Sequence, residues 1–408
     1  MLKSLTLNNW KSFGERRNRL DLASLTLLVG PNGSGKSNAL DALRFLQGAA
    51  LDFPLGDVLR GRFEGQREIW PPIRGQVVEA ARGGLASFRL ETEWQFAGLG
   101  VGGNLRHAIA IDTREDALLD SERLGSSPDI YAFDTHAPTL KNSSGRQAGG
   151  AMRVALRTKG KGNSVAETYS AARSLLGQVA EGGRVNPTAI AEARRVQSEL
   201  RGIAFLDIQP SRMRDYRPEH AHSLGTSAEN ISPKLRALSS QQLDDVVGWV
   251  SELCAPNLSA ISFDVTQLKE VMFYLDEQPA TKVSARSVSD GTLRFLGLVT
   301  ALLTSEPGSF IVLEEPDVGL HPARIHLLAQ LLEQATADNR LQVLATTHSP
   351  TLLAHLAPAS LANVVALGRD DEGMTVCERV GDLDHFEILR DSEQLDRLVS
   401  TGWIERAL

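Results

Sequence analysis

Eight consecutive residues carry the strongest chemical signal in the chain. Gly30-Pro31-Asn32-Gly33-Ser34-Gly35-Lys36-Ser37 fits the phosphate-loop pattern G-x-x-x-x-G-K-[ST] at every fixed position. Glycines let a backbone curl until its N–H groups point at phosphate oxygens. A helix starting behind the loop adds its positive end. In that pattern Lys36 reaches the β- and γ-phosphates and Ser37 ligates Mg²⁺. The bland alternative is a glycine-rich turn with a chance lysine, and the flanking sequence argues against it. Leu25-Thr26-Leu27-Leu28-Val29 is a short apolar run of the kind that forms a buried parallel strand. After the loop, Leu40, Leu43 and Leu46 share one face of a helix.

Three further clusters follow strand-like or helix-like signals. Phe310-Ile311-Val312-Leu313 ends in Glu314 and Glu315, where ligands sit in open α/β sheets. Adjacent carboxylates there suit a division of labour, with Glu314 toward the Mg²⁺ shell and Glu315 positioning an attacking water. Val343-Leu344-Ala345-Thr346-Thr347 leads to His348, and a neutral histidine at that point can hydrogen-bond a γ-phosphate. Ser287-Val288-Ser289-Asp290-Gly291-Thr292 precedes an apolar helix that buries Leu293, Phe295, Leu296 and Val299. Ser289 reads as its N-cap, and the helix start as an anion-binding end. Alone, each of these has an ordinary structural explanation: solvated acids, a surface histidine, a plain cap. Their joint order is what gives them weight.

That order, P-loop, serine-rich signature, paired glutamates, histidine, resembles the ATPase heads of the ABC superfamily. Within it the chain looks like the RecF, SMC and OLD branch, and most like the stand-alone AAA_21 ATPases. The opening Leu2-Lys3-Ser4-Leu5-Thr6-Leu7-Asn8-Asn9-Trp10-Lys11-Ser12-Phe13 is similar to that branch's start, as is Gly33-Ser34-Gly35-Lys36-Ser37-Asn38 with its asparagine. The resemblance implies ATP and Mg²⁺ as ligands. Asn32, Gly33, Ser34, Gly35, Lys36, Ser37 and Asn38 would form the nucleotide cradle, and Ser37 and Glu314 the metal shell. Glu315 would be the catalytic carboxylate and His348 the switch residue. Ser289 and Gly291 would touch ATP held on a second head, so the resemblance implies a homodimer or higher even oligomer. The chain departs from transporter-type heads in having Glu314 where Asp is usual, Asp290 where Gly is usual, and His321 where Asp is usual. The glutamine of the Q-loop is left open between Gln66 and Gln76.

The elements that must position these residues imply an α/β fold. It is a P-loop ABC-type head with a β-rich lobe and an inserted, mostly helical subdomain. The expected units are 1–135 and 241–368 for the two parts of the head, 136–240 for the insertion, and 369–408 for a tail. Alternation in Ser87-Phe88-Arg89-Leu90-Glu91 and Ala108-Ile109-Ala110-Ile111 marks strands of the lobe. Residues 136–163, rich in Gly, Ser, Lys and Arg, read as a loop, and 165–202 as one or two helices interrupted at Gly182-Gly183 and Pro187. No heptads are sustained, so a long coiled coil is not expected.

Composition narrows the function classes. The chain has 408 residues, 42% hydrophobic, with net charge −7. Any nucleic-acid surface is therefore a local patch. Candidates are Arg153, Arg157, Lys159 and Lys161, and the group Arg212, Arg214 and Arg217 with Arg194, Arg195 and Arg201. A solvated, ion-paired face is the simpler reading of both. Two isolated cysteines, Cys254 and Cys377, imply neither a metal cluster nor a disulfide scaffold. No apolar stretch approaches the roughly 20 residues of a membrane span, and no leader is evident, so a cytoplasmic protein without a membrane partner is expected. Asp382, Asp384, His385 and Asp391 suggest a metal site less well than a polar tail. The tail is too short for the nuclease module of OLD proteins. The leading expectation is an ATP-driven clamp or sensor on DNA, in repair or anti-phage defence. Its rival is a regulatory ATPase that gates a separately encoded effector protein, a nuclease or toxin, without binding nucleic acid. The motor of a membrane transporter fits less well, given the departures at Asp290 and His321.

Overall fold

Short aliphatic runs form the centre of the molecule. The computed structural model describes residues 1–16, 18–96, 103–114, 116–127, 129–143, 145–147, 150–157, 164–180, 186–220, 223–254, 258–278 and 281–383. In it, strands Phe310–Leu313, Gln342–Thr347, Leu25–Val29 and Val365–Arg369 lie side by side and parallel. Ala204–Leu206 adds a parallel edge beside Phe310–Leu313, and Thr375–Arg379 closes the other edge antiparallel. Such strands are apolar throughout because both faces of the sheet are covered. Side-chain alternation assigns the faces. Leu28, Val312, Leu344 and Leu367 enter one core, while Leu27, Ile311, Val343 and Ala366 enter the other.

The first core lies between this sheet and a second, antiparallel one. The helix Lys36–Ala50, which starts at the phosphate loop, contributes Leu43, Phe45 and Leu46 to it. The antiparallel sheet has nine strands and begins with Leu2–Asn8, beside Arg19–Asp21 on one side and Ser87–Gln95 on the other. Along Ser87–Gln95, Phe88, Leu90, Thr92 and Trp94 are buried and the residues between them are not. One face packs and one is wet, as antiparallel sheets allow. Trp10 meets Phe88 and Phe45 at ring-centroid distances of 4.7 and 5.9 Å, joining sheet, opening segment and helix in one aromatic cluster. The second core holds helices Asp290–Thr304, Ile325–Thr336 and Ser240–Cys254, with a small sheet of Leu258–Val265, Glu270–Glu277 and Thr281–Ser284.

The middle of the chain differs from the sequence expectation. Where 136–163 reads as a loop, Gly145–Gln147 and Ala151–Arg157 are strands that extend the nine-stranded sheet, and Ser164–Ser170 pairs with Ala151–Arg157. The reason is visible in Ala151–Arg157: Met152, Val154 and Leu156 alternate into the core between arginines. Basic composition masked a period of two. Residues 158–163, with Lys159 and Lys161, lie outside the described residues. Of the stretch 165–202 read as one or two helices, the front to Ser170 is strand, and the rest holds two helices, Leu175–Ala180 and a second opened by Pro187. It sits at the first turn of Pro187–Arg201, and the Asn186 side chain accepts a hydrogen bond from the Thr188 N–H at 2.8 Å. Ala204–Leu206 then returns to the central sheet, so the stretch 136–240 also builds the head. No helix among the described residues exceeds 15 residues, and none is long and apolar enough to cross a membrane.

One buried side chain ties the two sheets together. The Gln342 amide donates to the carbonyls of Leu2 and Ala23 at 2.7 and 3.1 Å, and its oxygen accepts the Leu2 N–H at 3.0 Å. Replacing Gln342 with Leu keeps volume but leaves three backbone groups unpaired. We expect a loss of about 2–3 kcal/mol in urea unfolding; an unchanged midpoint would refute the tie.

Candidate nucleotide site

The phosphate loop is shaped by glycines at positions that demand them. Gly30 and Gly35 have φ of 146° and 113°. A Cβ on Gly30 would lie 2.1 Å from the Leu367 carbonyl oxygen, and one on Gly35 2.5 Å from Thr375 Oγ1. Asn32 and Gly33 are exposed at the apex. Behind them Lys36 is buried and its ammonium donates to the Gly30 and Pro31 carbonyls at 2.7 and 3.0 Å. No side chain caps the helix at Gly35, so its first N–H groups face the loop. Ser34 Oγ is buried in the loop with no hydrogen-bond partner. An orphaned hydroxyl, uncapped helix N–H groups and a lysine inside one curl are chemically suited to an anion.

The curl is braced from outside by residues the sequence reading did not single out. Arg369 donates to the Gly33 carbonyl through Nε and a terminal nitrogen, at 2.8 and 2.6 Å. Thr375 Oγ1 lies 2.7 Å from both the Ser34 carbonyl and Ser12 Oγ. Asn38, expected in the nucleotide cradle, instead turns its amide to Ser12 Oγ at 2.7 Å, and its carbonyl accepts the Trp10 indole N–H at 2.7 Å. It holds the opening segment against the loop helix. Nothing local marks Arg369 or Thr375 in the sequence, because they reach the loop from the last two strands.

The acidic side of the site meets the loop across the central sheet. Ser37 Oγ donates to Glu314 Oε1 at 2.9 Å. The Arg74 guanidinium donates to both Glu314 oxygens at 2.8 and 2.7 Å. Burial opposes ionisation of Glu314, but Arg74 outweighs it and holds the carboxyl below its usual range. Arg74 is itself placed by Lys11, whose ammonium bonds the Arg74 carbonyl at 2.8 Å and Asp41 of the loop helix at 2.5 Å. A serine hydroxyl and a carboxylate are hard oxygen donors that fit Mg²⁺. Of the two open glutamines, Gln66 sits in the turn between Arg62–Glu64 and Arg67–Trp70, while Gln76 lies two residues after Arg74.

Glu315 is the strained member. Its φ is 47°, a left-handed conformation rare for a residue with a side chain. Its N–H donates to Thr346 Oγ1 at 3.0 Å. Its carboxylate lies 3.3 Å from His348 Nε2. Two residues on, burial raises the Asp317 pKa, and Asp317 Oδ1 has no hydrogen-bond partner. His321, in the departing position, caps a short turn by accepting the Ala323 N–H at 3.2 Å. The signature residues lie at the start of Asp290–Thr304. Ser289 Oγ accepts the Thr292 N–H at 3.2 Å, and a Cβ on Gly291 would meet the Gly319 carbonyl at 2.6 Å.

Five of the ten residues in the expected basic patches are engaged within the structure itself. Arg157 pairs with Glu192 at 2.8 Å, Arg201 donates to the Ala50 carbonyl at 2.6 Å, and Arg195 lies over the Phe96 ring at 4.4 Å. Arg217 donates to the Glu229 carbonyl at 3.1 Å, and Arg214 to carbonyls just before the signature. Among the described residues no group of three or more His, Cys, Asp or Glu could hold a metal ion. Asp384, His385 and Asp391 lie outside the described residues.

If Arg369 holds the loop in its anion-binding curl, Arg369→Ala should lower ATP affinity about tenfold while thermal unfolding changes little. Titration calorimetry with ATP measures this, and unaltered affinity would show the brace to be dispensable.

Comparison with known proteins matches the chain in two segments by family and over most of its length by fold. The AAA_21 family ("AAA domain, putative AbiEii toxin, Type IV TA system") matches residues 163–354. The family "RecF/RecN/SMC N terminal domain" matches residues 1–53. The chromosome partition protein Smc of Rhodopirellula baltica is 50% identical over 50 residues, 12% of this chain. That of Mycobacterium tuberculosis is 51% identical over 47 residues, again 12%. The chain spans only 4% of the length of either curated relative. Two solved structures share its fold. An Smc head bound to the C-winged helix domain of ScpA has a TM-score of 0.51 at 14% identity, covering 92% of this chain and 96% of that one. The Smc head with an extended coiled coil from Pyrococcus furiosus, bound to the C-terminal domain of ScpA, has a TM-score of 0.50 at 11% identity, covering 96% and 98%. The AAA_21 match over 163–354, the RecF/RecN/SMC match over 1–53 and the shared Smc-head fold agree in supporting an ABC/SMC-type head related to the AAA_21 proteins.

Proposed function

We propose that the chain binds and hydrolyses ATP and that two copies close head to head around two nucleotides. The observation that carries this reading is where the side chains meet. At the C-terminal ends of neighbouring parallel strands, Ser37 touches Glu314, and Glu315 faces His348. Lys36 and the loop N–H groups bind the phosphates. Ser37 and Glu314 would hold Mg²⁺, which would supply positive charge against the phosphates. Glu315 orients the attacking water and accepts its proton. His348, within reach of Glu315, senses the γ-phosphate. Ser289 and Gly291 serve the nucleotide on the other copy, which makes the interface two-fold and the site composite. ATP then favours the closed pair, and loss of the γ-phosphate releases it. Gln76, two residues from Arg74, is the better placed of the two Q-loop glutamines.

What the closed pair acts on is a second question. A clamp or sensor on DNA rests on the likeness to Smc heads. A gate for a separate effector protein is favoured by one observation. Arg201, Arg214 and Arg217, three of the ten basic residues singled out from sequence, give donors to backbone carbonyls, where a phosphate-binding face needs donors turned outward.

The test is the mass in solution of the Glu315→Gln protein with and without ATP and Mg²⁺, repeated with short DNA duplexes. ATP should double the mass. DNA joining the doubled species would support the clamp, and its exclusion the protein gate. A monomer mass that ATP leaves unchanged would refute head-to-head closure. The strain at Glu315 gives an independent check. Glu315→Gly should raise stability by about 1 kcal/mol and abolish hydrolysis; a destabilised or still active variant would contradict the role given to Glu315.

A further inference from the structure

The loop ahead of the signature helix is held by one arginine from outside all four motifs. Arg214 lies after the strand Ala204–Leu206, and its side chain is mostly buried. One terminal nitrogen shares its two N–H groups among three carbonyls of a single turn, those of Ala285, Arg286 and Val288, at 3.1, 2.7 and 2.8 Å. The other donates to the Asp290 carboxylate. Arg214 therefore grips the residues on both sides of Ser289. Val288 offers its carbonyl before it, and Asp290 its carboxylate after it.

The chemistry of the grip accounts for its residue types. Carbonyls of neighbouring residues converging on one point repel each other unless a cation sits among them. A planar guanidinium serves several acceptors at fixed angles, and an ammonium is a single point donor. Asp290 also stands in the first turn of the helix, where a carboxylate is favoured by the helix end. That turn is where this chain departs from the usual glycine, and the departure supplies the anchor for Arg214. On the opposite side Gly291 is seated against the Gly319 carbonyl, so close that a Cβ would come within 2.6 Å. Ser289 is left between two fixed neighbours with its hydroxyl at the helix start.

We propose that Arg214 is a positioning residue for the signature: it fixes the 285–290 loop in the shape that presents Ser289 and Gly291 to nucleotide on the second copy. This rests on the head-to-head reading above. Arg214 touches no nucleotide on its own head, so its loss weakens closure and spares ATP binding by the single chain. It also removes Arg214 from the residues available to a nucleic-acid backbone.

The test uses the full chain carrying Glu315→Gln, with fluorescent ATP binding, ATP-driven change of mass and thermal unfolding measured together. Ser289→Arg is the control that should block closure. Arg214→Gln should raise the protein concentration needed for ATP-driven closure about tenfold or more, with ATP affinity of the monomer within about twofold of the parent. Arg214→Lys should recover part of the loss. Asp290→Asn changes only an exposed side chain and removes the ionic half of the grip. It should weaken closure by a smaller factor even if Arg214→Gln proves hard to fold. Normal closure by both Arg214→Gln and Asp290→Asn, with Ser289→Arg blocked, would overturn the proposal and leave the head-to-head reading intact. Normal closure by Ser289→Arg itself would overturn that reading and the proposal with it. Equal loss of monomer ATP binding and of closure in Asp290→Asn would assign Arg214 to general stability instead.

Discussion

The curl of residues 30–37 is the constraint on which the rest of the structure depends. A backbone whose N–H groups converge on one point is unfavourable alone, since like dipoles crowd and the chain must take φ values that only glycine tolerates well. The fold stabilises it by contact from every side. Leu367 closes over Gly30, Thr375 over Gly35, and Arg369 bonds the Gly33 carbonyl. These contacts come from strands more than 300 residues later in the chain, so the loop acquires its shape only when the central sheet is complete. Trp10, Ser12 and Asn38 fasten the opening segment to the same helix. The nine-stranded sheet is thereby a rigid backing for the loop.

The acidic side shows the opposite economy, with strain and unbalanced charge concentrated at the strand ends. Glu315 is held left-handed by a hydrogen bond from its own N–H to Thr346. Asp317 is buried against its preference for water. Glu314 is held below the usual carboxylate range by Arg74 against the effect of burial, and Arg74 is positioned through Lys11 and Asp41. Three carboxylates within four residues thus have three different environments. The roles proposed for this site, holding a cation and orienting water, would have use for that asymmetry.

Arginine is the residue with which this head fixes its loops. Arg369 holds the phosphate loop, Arg74 the first glutamate, and Arg214 the turn before the signature. In each case the guanidinium serves backbone carbonyls or a carboxylate, and the planar fork sets angle as well as distance.

Much of the site was legible in the sequence because its signals are local. The glycine and lysine spacing from Gly30 to Ser37, the strand-ending Glu314 and Glu315, and the cap at Ser289 each follow from a few adjacent residues obeying backbone sterics and helix periodicity. The α/β character and the absence of sustained heptads were legible for the same reason. The strands at Ala151–Arg157 and Ser164–Ser170 were not, because arginines beside the apolar residues of the first mimicked a loop and the second was read into the helix that follows it, and only pairing with each other and with a neighbouring strand makes them sheet. The braces were not legible either. Arg74, Arg214, Arg369 and Thr375 lie tens to hundreds of residues from the groups they hold, in segments with no pattern of their own. Local chemistry determined which residues are fit to meet a nucleotide. Long-range contacts, which no spacing along the chain encodes, decided what holds those residues in place.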